Sequence, residues 1–116
     1  MSKNNKLYGY AGKILRINLS NGEIKTEPTS KYIDEWLGGP GIAAKILYDE
    51  LRGWVKPFDP ANRIVIGTGV LQGTVAPAAC KMTISELSPV TDGWGTGASD
   101  SRFGGDLKCS GYDALV

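Results

Sequence analysis

The residues best suited to chemistry lie in a stretch rich in glycine and serine, residues 93–108. Small residues dominate it, and its loop carries one carboxylate, Asp100, beside Ser99, and one guanidinium, Arg102. Backbone amides and serine hydroxyls bind phosphate oxygens, and a carboxylate is a ligand that Mg²⁺ prefers. An ordinary surface loop explains the same composition equally well, so the residues alone leave both interpretations open.

Two other glycine runs could approach a ligand. Residues 38–41 precede a predicted helix, whose N-terminus could bind an anion. A tight turn between two helices explains this run better, because no strand precedes it and the glycine spacing of a dinucleotide site is absent. Residues 69–77 follow a predicted buried strand, where ligand-contacting loops are common, and suggest a ligand-facing turn.

Cysteine content and charge exclude several kinds of site. Cys80 and Cys109 are the only cysteines and histidine is absent, so neither a structural zinc site nor an iron–sulfur cluster, each needing about four ligands, can form. We expect two free thiols, buried or half-buried. A net charge of +1 argues against a nucleic-acid-binding surface. No apolar run approaches the roughly 20 residues that span a bilayer, and without a signal peptide the expected compartment is the cytoplasm.

The elements that must position these residues follow from periodicity. Alternation over 13–19 predicts a strand that buries Leu15, Ile17 and Leu19 on one face, and residues 20–22 form a hairpin turn to a second strand. The remaining predicted elements are strands at 63–68, 82–87 and 112–116, helices at 32–37 and 42–51, and a helical turn at 103–109. The apolar run at 112–116 looks interrupted, which indicates a fragment or a strand completed by another polypeptide.

An ordered series of motifs runs through the chain from Tyr8 to Val116. The motifs are GKILRINLSNGEI, WLGG followed by G and AA, PFDPANRIVIGTG, L-x-GT-AP, SP-T, F-G-DLK and GYDA-V. In this order they resemble the N-terminal domain of the aldehyde:ferredoxin oxidoreductase family. The resemblance implies an α+β fold: a β-rich domain with mixed or antiparallel sheets and two or three short helices. It divides the chain into a flexible segment, 1–7, and the domain, 8–116, truncated at its C-terminal end.

The resemblance also implies cofactors and partners. In this family one tungsten, or molybdenum, is bound by two pterins whose phosphates are bridged by Mg²⁺, and aldehydes are oxidised to carboxylic acids. A 4Fe–4S cluster, whose cysteines lie downstream of this stretch, passes the electrons to ferredoxin. The expected partner is therefore the remainder of the enzyme or a companion subunit, with no nucleic acid and no membrane. The superfamily includes tungsten benzoyl-coenzyme A reductases.

Four positions are implied as cofactor-binding, and none as catalytic. Lys81 stands where the family has a pterin-contacting arginine, and Ala98 where it has an asparagine near the Mg²⁺ and the pterin phosphates. Ser99 and Asp100 continue the run that reads Asn-Ser-Gly-Gly in the family. Asp100 either replaces the lost metal ligand or repels the phosphates.

These observations give three functional hypotheses. The first is the tungstopterin-binding N-terminal portion of an aldehyde oxidoreductase, inactive on its own. The second is a non-catalytic remnant or accessory subunit that binds a partner chain through an open sheet edge. The third, a small-molecule or phosphate-binding module without a redox role, has the least support.

Overall fold

A computed structural model describes residues 8–116, so the predicted flexible segment 1–7 lies outside the described residues. The described chain forms one six-stranded sheet with two α-helices and a short 3₁₀ helix, Thr29–Lys31. The strands are β1 (Lys13–Asn18), β2 (Glu23–Pro28), β3 (Ile64–Thr68), β4 (Lys81–Leu87), β5 (Trp94–Asp100) and β6 (Ala114–Leu115), and the helices are α1 (Gly38–Glu50) and α2 (Arg102–Cys109). The predicted α+β class, with a mixed sheet, is confirmed.

The strand order is β2-β1-β6-β3-β4-β5. Strand β6 runs parallel to β1 and antiparallel to β3, whereas every other pair is antiparallel. The strand predicted at 112–116 is present over residues 114–115, which have a neighbouring strand of this chain on both sides. The expectation of a fragment, or of a strand completed by another polypeptide, stays a prediction. Among the described strands, the edges of the sheet are β2 and β5.

One face of the sheet carries the core. Helix α1 packs Ile42, Ala43, Ile46 and Leu47 against Ile14, Val65 and Ala114 of the sheet, all less than 9% exposed. Each large apolar side chain buried there contributes roughly 1.5–3 kcal/mol.

The face predicted for β1 is wrong. Ile14 is fully buried under α1, whereas Leu15 and Ile17 lie on the opposite face and Leu19 is exposed. Arg16, two residues after Ile14, lies on the same face of β1. Its guanidinium therefore reaches Glu50 of α1, which it binds at 2.6 Å. Alternation along a strand separates its two faces, but it does not show which of the two faces a helix covers.

The glycine run at 38–41 lies inside α1 and does not end a preceding helix. Gly39 has non-helical torsion angles (φ 10°, ψ −103°), and the regular helix continues from Pro40, a residue well suited to a first helical turn. The helix predicted at 32–37 is absent. The amide of Trp36 donates to the carbonyl of Tyr32 at 2.9 Å, but a single turn cannot outweigh the cost of helix nucleation.

Strand β5 occupies residues that the sequence assigned to a loop. Its sequence, WGTGASD, combines small and polar residues with poor intrinsic strand propensity. Seven register pairs with β4, from Lys81 opposite Asp100 to Leu87 opposite Trp94, hold it in the sheet. Within residues 8–116, no helix is long and apolar enough to cross a membrane.

Candidate functional site

The candidate site lies where β4 begins and β5 ends. Lys81 and Asp100 are register partners there, with Lys81 Nζ 3.8 Å from Asp100 Oδ1. Both side chains are more than 60% exposed, so their mutual attraction is screened by water and adds little stability. An ion pair in this position is available to bind a ligand.

The register divides the four implied cofactor-binding residues between the two faces of the sheet. Ala98 lies opposite Thr83 and Ser99 opposite Met82. Because successive side chains of a strand point to opposite faces, Ala98 shares the face of Asp100, while Ser99 points to the other face. The site therefore brings Lys81, Ala98 and Asp100 together and leaves the Ser99 hydroxyl outside it.

Cys80 borders the site. Its Sγ lies 3.9 Å from Asp100 Oδ1. Both Cys80 and Cys109 are free thiols, as expected, but they are exposed and not buried or half-buried. No group of three or more cysteine, aspartate, glutamate or histidine side chains suited to a metal occurs in the part of the chain that the structure describes. Asp100 could therefore be only one ligand among several, with the others supplied by phosphates and water.

A buried glutamine fixes the loop that leads into the site. Gln72, 2% exposed, accepts a hydrogen bond from the amide of Gly69 at 3.4 Å and donates one to the carbonyl of Cys80 at 3.2 Å. The second bond holds the residue directly before Lys81. Nothing in the sequence indicates this role, because a single glutamine in a glycine-rich turn has no distinguishing pattern.

A second polar cluster, centred on Lys108, supports the same loop. Lys108 Nζ donates to the carbonyl of Gly69 at 2.8 Å, lies 3.4 Å from Asp113 Oδ1, and sits 5.6 Å from the centre of the Tyr10 ring. Burial lowers the pKa of Lys108 below its ordinary value, although Asp113 acts in the opposite direction. Lys108 and Asp113 belong to the DLK and GYDA motifs, and these contacts give both motifs a structural role.

A contact between two glycines sets the distance between α1 and the strands of the site. A Cβ atom on Gly67 would lie 2.6 Å from the carbonyl oxygen of Gly39, and one on Gly39 would lie 3.3 Å from Thr83 Oγ1. Glycine at both positions allows the start of α1 to rest directly on β3 and β4. The helix thereby supports the strand that carries Lys81.

The side chains present fit a phosphate group bound together with Mg²⁺. Lys81 would offer an exposed ammonium to phosphate oxygens, and Asp100 would offer one carboxylate, which is the usual protein contribution to Mg²⁺ bound to phosphates. Strand β5 is an edge strand, so the amides on its outer side do not pair with another described strand. Ala98 adds no polar side chain.

Comparisons with known proteins agree with the fold. The family model described as aldehyde ferredoxin oxidoreductase, N-terminal domain, matches residues 14–116. Tungsten-containing aldehyde ferredoxin oxidoreductases of Pyrococcus horikoshii and Pyrococcus abyssi are each 38% identical over 111 residues, which is 95% of this chain and 18% of each relative. The chain thus spans less than a fifth of the length of the curated relatives it matches.

A solved structure has a fold similar to that of this chain. The structure is the active site complex BamBC of benzoyl coenzyme A reductase in complex with 1,5-dienoyl-CoA. The likeness has a TM-score of 0.89 and 32% sequence identity, and it covers 93% of this chain and 17% of that one. Proteins that differ in substrate therefore share this domain.

Proposed function

The chain belongs to the family of aldehyde ferredoxin oxidoreductase N-terminal domains, and from this premise we propose that it is the tungstopterin-binding first part of an oxidoreductase that converts aldehydes into carboxylic acids with ferredoxin as electron acceptor. The observation that carries the proposal is the 38% identity to tungsten-containing aldehyde ferredoxin oxidoreductases over 95% of the chain. The isolated domain is expected to be inactive, because the ligands of an electron-transferring 4Fe–4S cluster belong to the remaining polypeptide.

The residues of the chain act by binding and positioning. Lys81 binds a phosphate oxygen as a point charge, since an ammonium cannot form the two parallel hydrogen bonds of an arginine. Asp100 supplies one carboxylate to the Mg²⁺ that accompanies the phosphates, and the Mg²⁺ offsets the repulsion between carboxylate and phosphate. Bound tungstopterin supplies the two-electron redox chemistry, while the protein determines its position and electrostatic environment.

A chimaera tests the proposal. The segment of the Pyrococcus horikoshii relative that this chain matches is replaced by residues 8–116, and the protein is produced anaerobically with tungstate. We expect a folded chimaera that retains tungsten, measured by elemental analysis, and that reduces a viologen dye when given an aldehyde. The unmodified relative is the control for incorporation, and thermal unfolding shows whether the chimaera is folded.

A folded chimaera without tungsten and pterin would contradict the proposal and favour a non-catalytic accessory subunit. Two features of the candidate site favour that second function. The Asp100 carboxylate, 3.8 Å from Lys81 Nζ, would compete with a phosphate for that ammonium, and Ala98 offers no ligand where the resemblance implies an asparagine.

A further inference from the structure

The paired ends of β4 and β5 meet at one backbone carbonyl, that of Cys80. The amide of Ser101 and the side-chain amide of Gln72 both donate to this carbonyl, each at 3.2 Å. Cys80 directly precedes Lys81, and Ser101 directly follows Asp100. One acceptor therefore lies beside both charged residues of the candidate site.

The bond from Ser101 to Cys80 determines how Lys81 and Asp100 are held. It makes them a non-hydrogen-bonded pair of the antiparallel ladder, whose two backbones do not bond each other directly. Such a pair is held only by the bonds that flank it. The bond from Ser101 to Cys80 is the outer one of these, because β4 begins at Lys81 and β5 ends at Asp100. Fraying there would release both side chains from the face of the sheet that they share.

Gln72 stabilises this outer bond from a buried position. Its Oε1 accepts from the amide of Gly69 at 3.4 Å, which orients the amide nitrogen toward Cys80. Gly104, in the first turn of α2, leaves room for the amide group. A Cβ atom on Gly104 would overlap Gln72 Nε2 and would lie 2.8 Å from Gln72 Cδ. Gln72 thus lies between the start of β4 and the helix that follows β5.

We propose that Gln72 is a positioning residue for cofactor binding, which holds the Cys80 carbonyl and thereby keeps Lys81 and Asp100 in place before the phosphates and Mg²⁺ bind. The inference rests on the proposed function, in which Lys81 and Asp100 contact the cofactor, and Gln72 acts only through them. Without the glutamine, the cofactor would bind a frayed strand end and would have to order it. The cost of this ordering lowers affinity.

Gln72→Met in the chimaera tests the proposal. Methionine is a flexible side chain of similar length that donates no hydrogen bond. We expect faster hydrogen exchange at the Ser101 amide, measured by mass spectrometry, and less retained tungsten, measured by elemental analysis after dialysis. Each should change by about fivefold, the factor that one ordinary hydrogen bond supplies. Aldehyde oxidation per retained tungsten should stay the same, because Gln72 contacts no reacting group.

Ile46→Val is the control for lost stability. It removes one methyl group from the core under α1 and lowers the melting temperature, but it leaves the contacts of the Cys80 carbonyl unchanged. We expect this variant to retain as much tungsten as the native chimaera and to exchange the Ser101 amide at the native rate.

Two neighbouring glycines of α2 provide an independent comparison. Gly104→Ala displaces the amide group of Gln72 while the glutamine itself remains, so it should lower retention and accelerate exchange at Ser101. Gly105→Ala is the matched control, since a Cβ atom there meets nothing within 4 Å, and it should change neither. This comparison also tests the proposal if Gln72→Met does not fold.

Native retention in Gln72→Met would overturn the proposal, even if exchange at Ser101 became faster, because the order of the strand end would then be dispensable for binding. An equal loss of tungsten in Gln72→Met and Ile46→Val at equal melting temperatures would also overturn it and leave Gln72 a purely structural role. These outcomes concern this inference alone. A native chimaera without tungsten would refute the proposed function, and this inference with it.

Discussion

The carboxylate of Asp113 lies 2.7 Å from the hydroxyl of Thr29, a residue 84 positions earlier in the chain. The same carboxylate accepts hydrogen bonds from the amides of Ala11 and Gly12 at 2.8 Å and 2.7 Å. Asp113 is 3% exposed and Thr29 is fully buried. One side chain next to β6 therefore joins the segment before β1 to the segment after β2.

Replacing Asp113 should destabilise the protein strongly. Asp113→Ala removes the acceptor for three hydrogen bonds and leaves Lys108 without its carboxylate, so we expect a loss of about 3 kcal/mol in the free energy of unfolding. Urea denaturation measures the loss. Asp106→Asn, at an exposed carboxylate of α2, is the control and should change stability by less than about 0.5 kcal/mol. A similar small change for Asp113→Ala would show that the cluster is dispensable.

A methyl group at Gly67 should push α1 away from the sheet. Gly67→Ala places a Cβ atom 2.6 Å from the carbonyl oxygen of Gly39, and overpacking of this kind costs about 1–3 kcal/mol. Gly97→Ala is the matched control in β5, where a Cβ atom meets nothing within 4 Å. Thermal unfolding should show a lower melting temperature for Gly67→Ala and an unchanged or slightly higher one for Gly97→Ala. The reverse order would refute the close contact.

Acid should weaken the cluster around Glu27. Burial alone would raise the pKa of Glu27, but hydrogen bonds from Arg16 and Lys31 outweigh it and hold the pKa below the ordinary value of 4.5. A carboxyl group with a lowered pKa in the folded state stabilises the fold above its unfolded pKa, and this contribution disappears as the pH falls through the folded value.

The free energy of unfolding should therefore fall more steeply below pH 4.5 in the native sequence than in Glu27→Gln. Urea titrations between neutral pH and the acid range measure the difference. Glu23→Gln, at an exposed glutamate of the same strand, should retain the pH dependence of the native sequence. Parallel curves for the native sequence and Glu27→Gln would contradict the prediction.

The role of Asp100 can be determined in the chimaera. If the carboxylate binds Mg²⁺ beside the phosphates, Asp100→Gly should lower the retained tungsten severalfold and Asp100→Asn should lower it less, because an amide oxygen is a weaker ligand. Elemental analysis after extensive dialysis measures retention. Higher retention in Asp100→Gly would mean that the carboxylate repels the phosphates.

Lys81→Arg should increase retention in the same assay. A guanidinium donates two parallel hydrogen bonds to a phosphate, whereas the lysine ammonium acts as a point charge. One additional charge-assisted hydrogen bond, at about 1.5 kcal/mol, corresponds to roughly tenfold slower loss of the cofactor. Lys25→Arg, at an exposed lysine of β2, is the control. Equal retention in both variants would remove Lys81 from the site.

The sequence predicted most elements but not how they pack. The hairpin, the strands at 63–68 and 82–87 and the helical turn at 103–109 follow from local alternation and turn residues, and all are present. Strand β5 could not be predicted, because pairing with β4 stabilises a segment that its own residues disfavour. The helix-covered face of β1 was also unpredictable, since it depends on where α1 packs on the sheet and buries Ile14.

The candidate site was predicted in part. The motifs located Lys81 and Asp100, and the structure brings them together through the register of β4 and β5. The motifs did not show that Ser99 points away from Lys81 and Asp100. This follows only once residues 94–100 are known to form a strand. Gln72 and Lys108 support the loop through bonds to backbone carbonyls, and such bonds leave no pattern in the sequence.

The central position of β6 has a consequence for how the chain acquires its structure. The hairpin of β1 and β2 and the meander of β3, β4 and β5 each contain only local pairings, but residues 114–115 join the two. During synthesis, both half-sheets can form early and α1 can pack against each of them, yet they cannot pair into one sheet until residues 114–115 have left the ribosome. Pairing across about 100 positions is slow, and the unjoined halves expose apolar surface meanwhile. The strand order therefore makes completion of the sheet one of the last steps in the synthesis of residues 8–116.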